Sequence, residues 1–304
     1  MAWDLAWDLA GHLAGGIRPG ICPPDERAAP AQNGAMKIAA VQMVSTPEWA
    51  RNAEAAAHAV GQAAAAGAQL VLLPEYFCIL GQRDTDKLAL AEPQGQGPMQ
   101  HFLAATARRH GLWLVGGTLP IRHTATQALN RCCVFAPDGS EATHYDKIHL
   151  FGFDNGKERY DEGRTLQAGT QPVSFDAAVG NETLRVGLSI CYDLRFPELY
   201  RALMNPPCDL LCVPAAFTHT TGAKHWEVLL RARAIENQCY VLASAQGGKH
   251  ENGRRTWGHS MIIDPWGEVI DVLPEGAGFV IADVARERIN QVRAQLPALQ
   301  HRRL

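Results

Sequence analysis

Apolar and polar positions change rhythm along this chain, and each change marks an element. Residues 37–43 ("KIAAVQM") and 69–75 ("QLVLLPE") are short, dense apolar runs. Runs of this length predict strands, and the second is apolar enough to be buried on both faces. Between them, 49–68 is an Ala-rich segment that closes near a glycine, which predicts a helix. A second helix is expected over 98–111, then a strand over 112–120 ("LWLVGGTLP"). Residues 131–150 read as a hairpin turning at "PDGS". Leu184, Val186, Leu188 and Ile190 alternate with Arg185, Gly187 and Ser189, the period-two pattern of a half-buried strand, and this one ends at Cys191. A helix near 197–204, a strand over 209–216, a helix near 223–237 and a strand over 239–246 follow. A hairpin about Pro265–Gly267, a strand over 278–284 and a polar helix complete the pattern.

Strands and helices that alternate in this way define one α/β domain, with no internal linker between 36 and 287. Residues 1–35 hold a short duplication, "AWDLAWDLA", and a stretch rich in Pro, Gly and Ala. They are expected to be a disordered or non-native extension, because Met36 opens the first convincing strand. Residues 288–304 are expected to form a C-terminal arm at a dimer interface.

Composition narrows the function classes. The chain has 304 residues, 47% hydrophobic and 19% charged, which suits a globular domain with a sizeable core. A net charge of −3 offers no basic face to nucleic acid. No apolar run is long enough to cross a membrane. The eight cysteines include no CxxC pair, so no zinc or other metal site is expected. Most sit in apolar surroundings, and so long a chain needs no disulfide scaffold. Reduced thiols and a cytoplasmic location are the expectation.

Three polar residues stand where strands are predicted to end: Glu75 in "LLPEYF", Lys147 in "YDKIHLF" and Cys191 in "SICYDLRFPELYR". Singly, each has an ordinary reading as a solvated charge or a buried thiol. Together they suit nucleophilic catalysis. A thiol is mostly protonated at neutral pH and needs a base or a cation beside it. A carboxylate can take that proton and return it to a leaving amine, while an ammonium group holds the developing oxyanion. A Cys–His pair is the competing arrangement. His149 shares a strand face with Lys147 and either serves that role or lines the same pocket.

These three segments, in this order and 72 and 44 residues apart, resemble the motif regions of the nitrilase superfamily of carbon–nitrogen hydrolases. The resemblance spans about 36–297. It implies an αββα sandwich and homodimers, or larger homo-oligomers, that pack through the helices flanking the nucleophile. It assigns Glu75 as general base, Lys147 as stabiliser of the transition state and Cys191 as nucleophile. Glu162, in "GKERYDEGRTLQAG", matches a second glutamate that positions the lysine, whereas Glu158 reads as a surface charge. The backbone N–H of Tyr192 would complete an oxyanion hole. No metal or organic cofactor is implied.

The segment after the cysteine, and "PAAFTHTTGAKHWEVLLRARAIENQCYV" (214–241), resemble the Nit-type amidases, which include ω-amidases and deaminated-glutathione amidases. This predicts a small amide substrate bearing a carboxylate. Arg195 either clamps that carboxylate or braces the turn through Asp193 or Glu198. By resemblance, Phe217 and Thr221 line the same pocket. Trp226 and Glu227 serve the wall or a dimer contact, and His259 and Ser260 a hairpin beside the site. An N-carbamoyl amino acid hydrolase and a catalytically silent scaffold of the same fold are the alternatives.

Overall fold

The computed structural model describes residues 35–303, so the expected extension falls outside the described residues except for Ala35, which already belongs to the first strand. The elements run β1 (Ala35–Gln42), α1 (Trp49–Ala65), β2 (Leu70–Leu72), α2 (Asp86–Ala89), α3 (Pro98–His110), β3 (Trp113–Val115), β4 (Leu119–Arg122), β5 (Ala128–Phe135) and β6 (Glu141–Asp146). The small strands β7 (Gly152–Asp154), β8 (Arg159–Asp161) and β9 (Leu166–Gln167) follow. Next come β10 (Ser174–Val179), β11 (Glu182–Leu188), α4 (Pro197–Ala202), β12 (Leu210–Ala215), α5 (His219–Asn237) and β13 (Tyr240–Ala245). The last elements are β14 (Ser260–Ile263), β15 (Val269–Leu273), β16 (Gly278–Ala285) and α6 (Arg286–Gln295).

Two mixed sheets result. The first has the order β16-β1-β2-β3-β5-β4, with β6 and β9 also paired to β5; the second runs β10 to β15 in chain order. Strand periodicity sorts the side chains into layers. In β1, Met36, Ile38 and Ala40 enter the core between the sheets, while Ala39 and Val41 enter the cluster under α1 and α3. In and just beyond β2, Leu70 and Leu72 face the sheets' shared core and Val71 and Leu73 face the helices, so this strand is buried on both sides as its composition predicted. Trp226, Leu230 and Ala234 of α5, with Leu199 and Tyr200 of α4, pack on the second sheet. Helices therefore cover both sheets, and the molecule is an αββα sandwich.

Three expectations need correction. The run 112–120 is not one strand, because β3 and β4 are separated at Gly116 and Gly117. Gly117 has φ +56°, and a Cβ there would lie 2.2 Å from the Pro74 carbonyl oxygen, so only glycine lets the two turns approach. Helix α5 starts at His219, not near 223, because Thr218 caps it and its side chain accepts from the Thr221 N–H. The expected boundary at 287 cuts α6, whose Ile289 and Val292 are buried in the domain.

Candidate active site

Glu75 stands just past β2. Pro74 carries no N–H for a strand ladder, so the chain leaves the sheet and turns over 75–78. The turn is tight enough to hold Tyr76 at φ +56°, with its N–H donating to Thr118 Oγ1 at 2.8 Å. Glu75 is 1% exposed. Its Oε1 accepts from Asn130 Nδ2 at 3.0 Å and from Lys147 Nζ at 2.7 Å. Its Oε2 accepts from the Ala216 N–H at 2.9 Å, which ties the ends of the two sheets together. Burial raises the Glu75 pKa and the charge of Glu162 adds to that, with Lys147 opposing both.

Lys147 follows β6, and its side chain is fully buried. Asp146 leaves the strand in the other direction and takes a two-point contact from Arg131, both bonds at 2.7 Å. Lys147 Nζ also lies 2.8 Å and 3.1 Å from the two oxygens of Glu162. Burial works against a charged lysine, but Glu162 and Glu75 outweigh it and hold the pKa well above the ordinary value. Glu162 opens a short 3-10 turn after β8 and accepts from the Phe151 N–H at 2.7 Å and the Tyr76 hydroxyl at 2.8 Å. Burial alone would raise its pKa; Lys147, the Phe151 N–H and the more distant charge of Lys87 hold it below the ordinary value.

Cys191 begins a 3-10 turn over Cys191–Arg195 and has φ +49°, an uncommon conformation for a residue with a side chain. The strand β11 stops at Leu188, earlier than its alternating sequence suggested, and the chain bends so that Cys191 faces Glu75. Glu75 and Cys191 line the same cavity, and burial and the Glu75 charge keep the Cys191 pKa well above that of a free thiol. Asp193 locks the bend. It is completely buried and accepts from the Ile190 N–H at 2.9 Å, the Tyr145 hydroxyl at 2.7 Å, and His149 at 3.0 Å (backbone) and 2.7 Å (Nδ1). Asp193→Ala leaves four donors without their acceptor. It is expected to cost about 3–5 kcal/mol, a fall in Tm of about 6–20 °C at about 2–4 °C per kcal/mol, measured by thermal unfolding. A shift under 2 °C would count against this locking role.

His149 is thus turned to Asp193 and stacked on Phe196, with ring centroids 3.7 Å apart, and no Cys–His pair forms. Arg195 makes neither ion pair considered for it. Its guanidinium rests over the rings of Tyr192 (5.6 Å) and Phe217 (5.3 Å), with His225 Nδ1 at 3.2 Å. With Thr221 these three residues line a recess that reaches Cys191. A larger cavity over Glu75, Glu162 and Cys191 is walled by Tyr76, Lys87, Phe151, Tyr160, Arg254 and neighbours. Glu158 lies outside both recesses and accepts from Thr220 at 2.9 Å. Trp226 is core and donates to the His259 carbonyl at 2.8 Å, Glu227 pairs along its own helix with Arg231, and Ser260 anchors on Gln42. Sequence reasoning missed Asn130, Tyr76 as a partner of Glu162, Lys87 and the role of Asp193. For Asp193 the short separation from Cys191 was the available signal.

The carbon–nitrogen hydrolase family profile matches residues 37–294. A deaminated glutathione amidase of Synechocystis is 44% identical over 269 residues, 87% of this chain and 97% of its own. The Homo sapiens deaminated glutathione amidase is 39% identical over 271 residues, 88% of this chain and 82% of its own. The crystal structure of Saccharomyces cerevisiae Nit3, a member of branch 10 of the nitrilase superfamily, superposes with a TM-score of 0.79 at 29% identity, covering 89% of this chain and 97% of that one. The chain belongs to the carbon–nitrogen hydrolase family and is an amidase.

Proposed function

We propose that the protein hydrolyses a small carboxylate-bearing amide of the deaminated-glutathione or 2-oxo acid ω-amide type through a thioester on Cys191. The observation that carries this reading is the single cluster in which Glu75, paired with Lys147 at 2.7 Å, lines one cavity with Glu162 and Cys191. The names of the relatives support the substrate class.

In the resting site Glu75 is the carboxylate and Cys191 the thiol. Glu75 takes the thiol proton as sulfur attacks the amide carbonyl, and a C–S bond forms. The oxyanion is held by Lys147, which Glu162 and Glu75 keep charged, and by the Tyr192 N–H. Glu75 returns the proton to the nitrogen, the C–N bond breaks and the amine leaves. Water, deprotonated by Glu75, then attacks the thioester, and Cys191 regains a proton as the free acid departs. Arg195 and Thr221 would hold the substrate's carboxylate. The test is release of amine and free acid from deaminated glutathione, an ω-amide, an N-carbamoyl amino acid and a nitrile. Preferential release of carbon dioxide from the carbamoyl compound would overturn the proposal in favour of a carbamoylase.

The pH profile follows from the same roles. A base has to be ionised, so kcat/KM should fall on acidification through a pKa above the ordinary 4.5. Glu162→Gln removes one upward push on Glu75, and the acid limb should move to lower pH. An unmoved limb in that variant would exclude Glu75 as the titrating base. Glu75→Gln should lower kcat by about 10²–10⁴-fold.

Two further readings belong here. Val228 and Ile235 of α5 are 68% and 50% exposed, which supports a homodimer packed through this helix, to be checked by light scattering. All described cysteines are free, which supports a reducing, cytoplasmic setting, to be checked by fractionation. No helix among the described residues is long and apolar enough to cross a membrane.

A further inference from the structure

The cavity has two arms that meet at Cys191. Phe151, Cys191, Ala216 and Thr218 line both. The smaller arm, about 210 Å³, is closed by Tyr192, Arg195, Phe217 and Thr221. The larger arm, about 830 Å³ and open to solvent, runs past Tyr76, Lys87, Tyr160 and Arg254. Glu75 lines the larger arm and not the smaller. If Glu75 hands the proton to the departing nitrogen, the amine half of the amide lies in the larger arm and the acyl half in the smaller.

Four cations stand on the wall of the larger arm. Three have counter-ions: Arg83 pairs with Asp86, Arg254 with Asp84 and Arg255 with Glu275. Lys87 differs. It is half-buried on α2, its Nζ stands 5.4 Å from the centre of the Tyr76 ring, and among the described residues no carboxylate makes an ion pair with it. Glu162 and Asp84 act on it only from farther off, and burial pushes its pKa down. The remaining carboxylate of this wall, Asp161, is exposed at the end of β8. A partly desolvated ammonium without a counter-ion on a ligand cavity is completed by an anion.

We propose that Lys87 binds a carboxylate on the amine half of the substrate, so that the enzyme prefers amides whose leaving amine is itself anionic, such as a dipeptide with a free C-terminus. This rests on the amidase reading and on Glu75 as proton donor. A primary amide, which releases ammonia, leaves Lys87 unused.

The experiment compares deaminated glutathione with its C-terminal carboxamide, which lacks only that negative charge, and with a primary 2-oxo acid ω-amide. Wild type should favour the free acid over its carboxamide by about tenfold to a hundredfold in kcat/KM, mostly through KM. Lys87→Met should bring that ratio near one, and Lys87→Arg should keep most of it. The ratio cancels any general effect of the substitution on the neighbouring Glu162. A wild-type ratio near one, or an unchanged ratio in Lys87→Met, overturns the assignment while leaving the amidase reading intact. Failure of wild type to turn over any of the three overturns both.

Discussion

Replacing Cys191 with alanine is expected to remove turnover of every amide substrate, by about 10⁴-fold or more in kcat. In the proposed mechanism the thiol forms the covalent bond, and nothing else among the residues lining the cavity is a comparable nucleophile. The backbone at 191 already carries a Cβ at positive φ, so alanine adds no strain and the fold should persist by circular dichroism. Iodoacetamide gives a second readout. Cys191 is 7% exposed, whereas the other described cysteines are fully buried, so among them alkylation should map to the Cys191 peptide alone. Its rate should fall on acidification with the acid limb of catalysis, because Glu75 has to accept the thiol proton in both reactions. Retention of more than a few per cent of wild-type activity by Cys191→Ala would exclude the thioester route.

Lys147→Met should fail in two ways. Loss of the oxyanion donor should lower kcat by about 10²–10³-fold. The substitution also leaves Glu75 and Glu162 buried without their shared cation, at a cost of about 3–5 kcal/mol. The sign of the pH dependence identifies the cause. Without Lys147 a carboxyl of the pair has its folded pKa raised above the unfolded value. The stability linked to that group is then fully present below the unfolded pKa and is lost as pH rises through the folded one. The Tm deficit relative to wild type should therefore widen from pH 5 to pH 8. A deficit independent of pH would show that Lys147 acts by packing alone.

The legible parts of the fold are those where local rhythm and burial agree. The run Leu70–Leu73 is apolar on every side chain, and it lies between two cores. The alternating run 184–188 is a strand because Leu184, Val186 and Leu188 face the interior. The reading failed where a distant backbone decides. The break at Gly117 is imposed by the Pro74 carbonyl, 43 positions away in the chain, and no window around 117 contains that contact. The early start of α5 was visible in the Thr218 cap, but the polar run after it carries no helical apolar stripe.

The candidate site divides in the same way. Glu75, Lys147, Glu162 and Cys191 were named from the sequence, since their residue types and order carry a recognisable chemistry. Their protonation was not legible. Whether a glutamate is a solvated charge or a buried base with a raised pKa depends on what surrounds it, and here Asn130, Lys147 and the Ala216 N–H come from three separate strands or their ends. For Arg195 the sequence allows both clamp and brace. The structure removes the two ion pairs that would have made it a brace and lays it on aromatic rings beside Cys191.

By itself, then, the sequence determined the family and the layered α/β architecture and singled out the candidate reacting groups, because apolar periodicity and motif order are written in neighbouring residues. Only the tertiary structure decided the upward push on the Glu75 pKa, the bend that presents Cys191, and the position of Lys87 in the larger arm with no ion-pair partner among the described residues. Those properties are sums over groups far apart in the chain, which meet only when the two sheets close on each other.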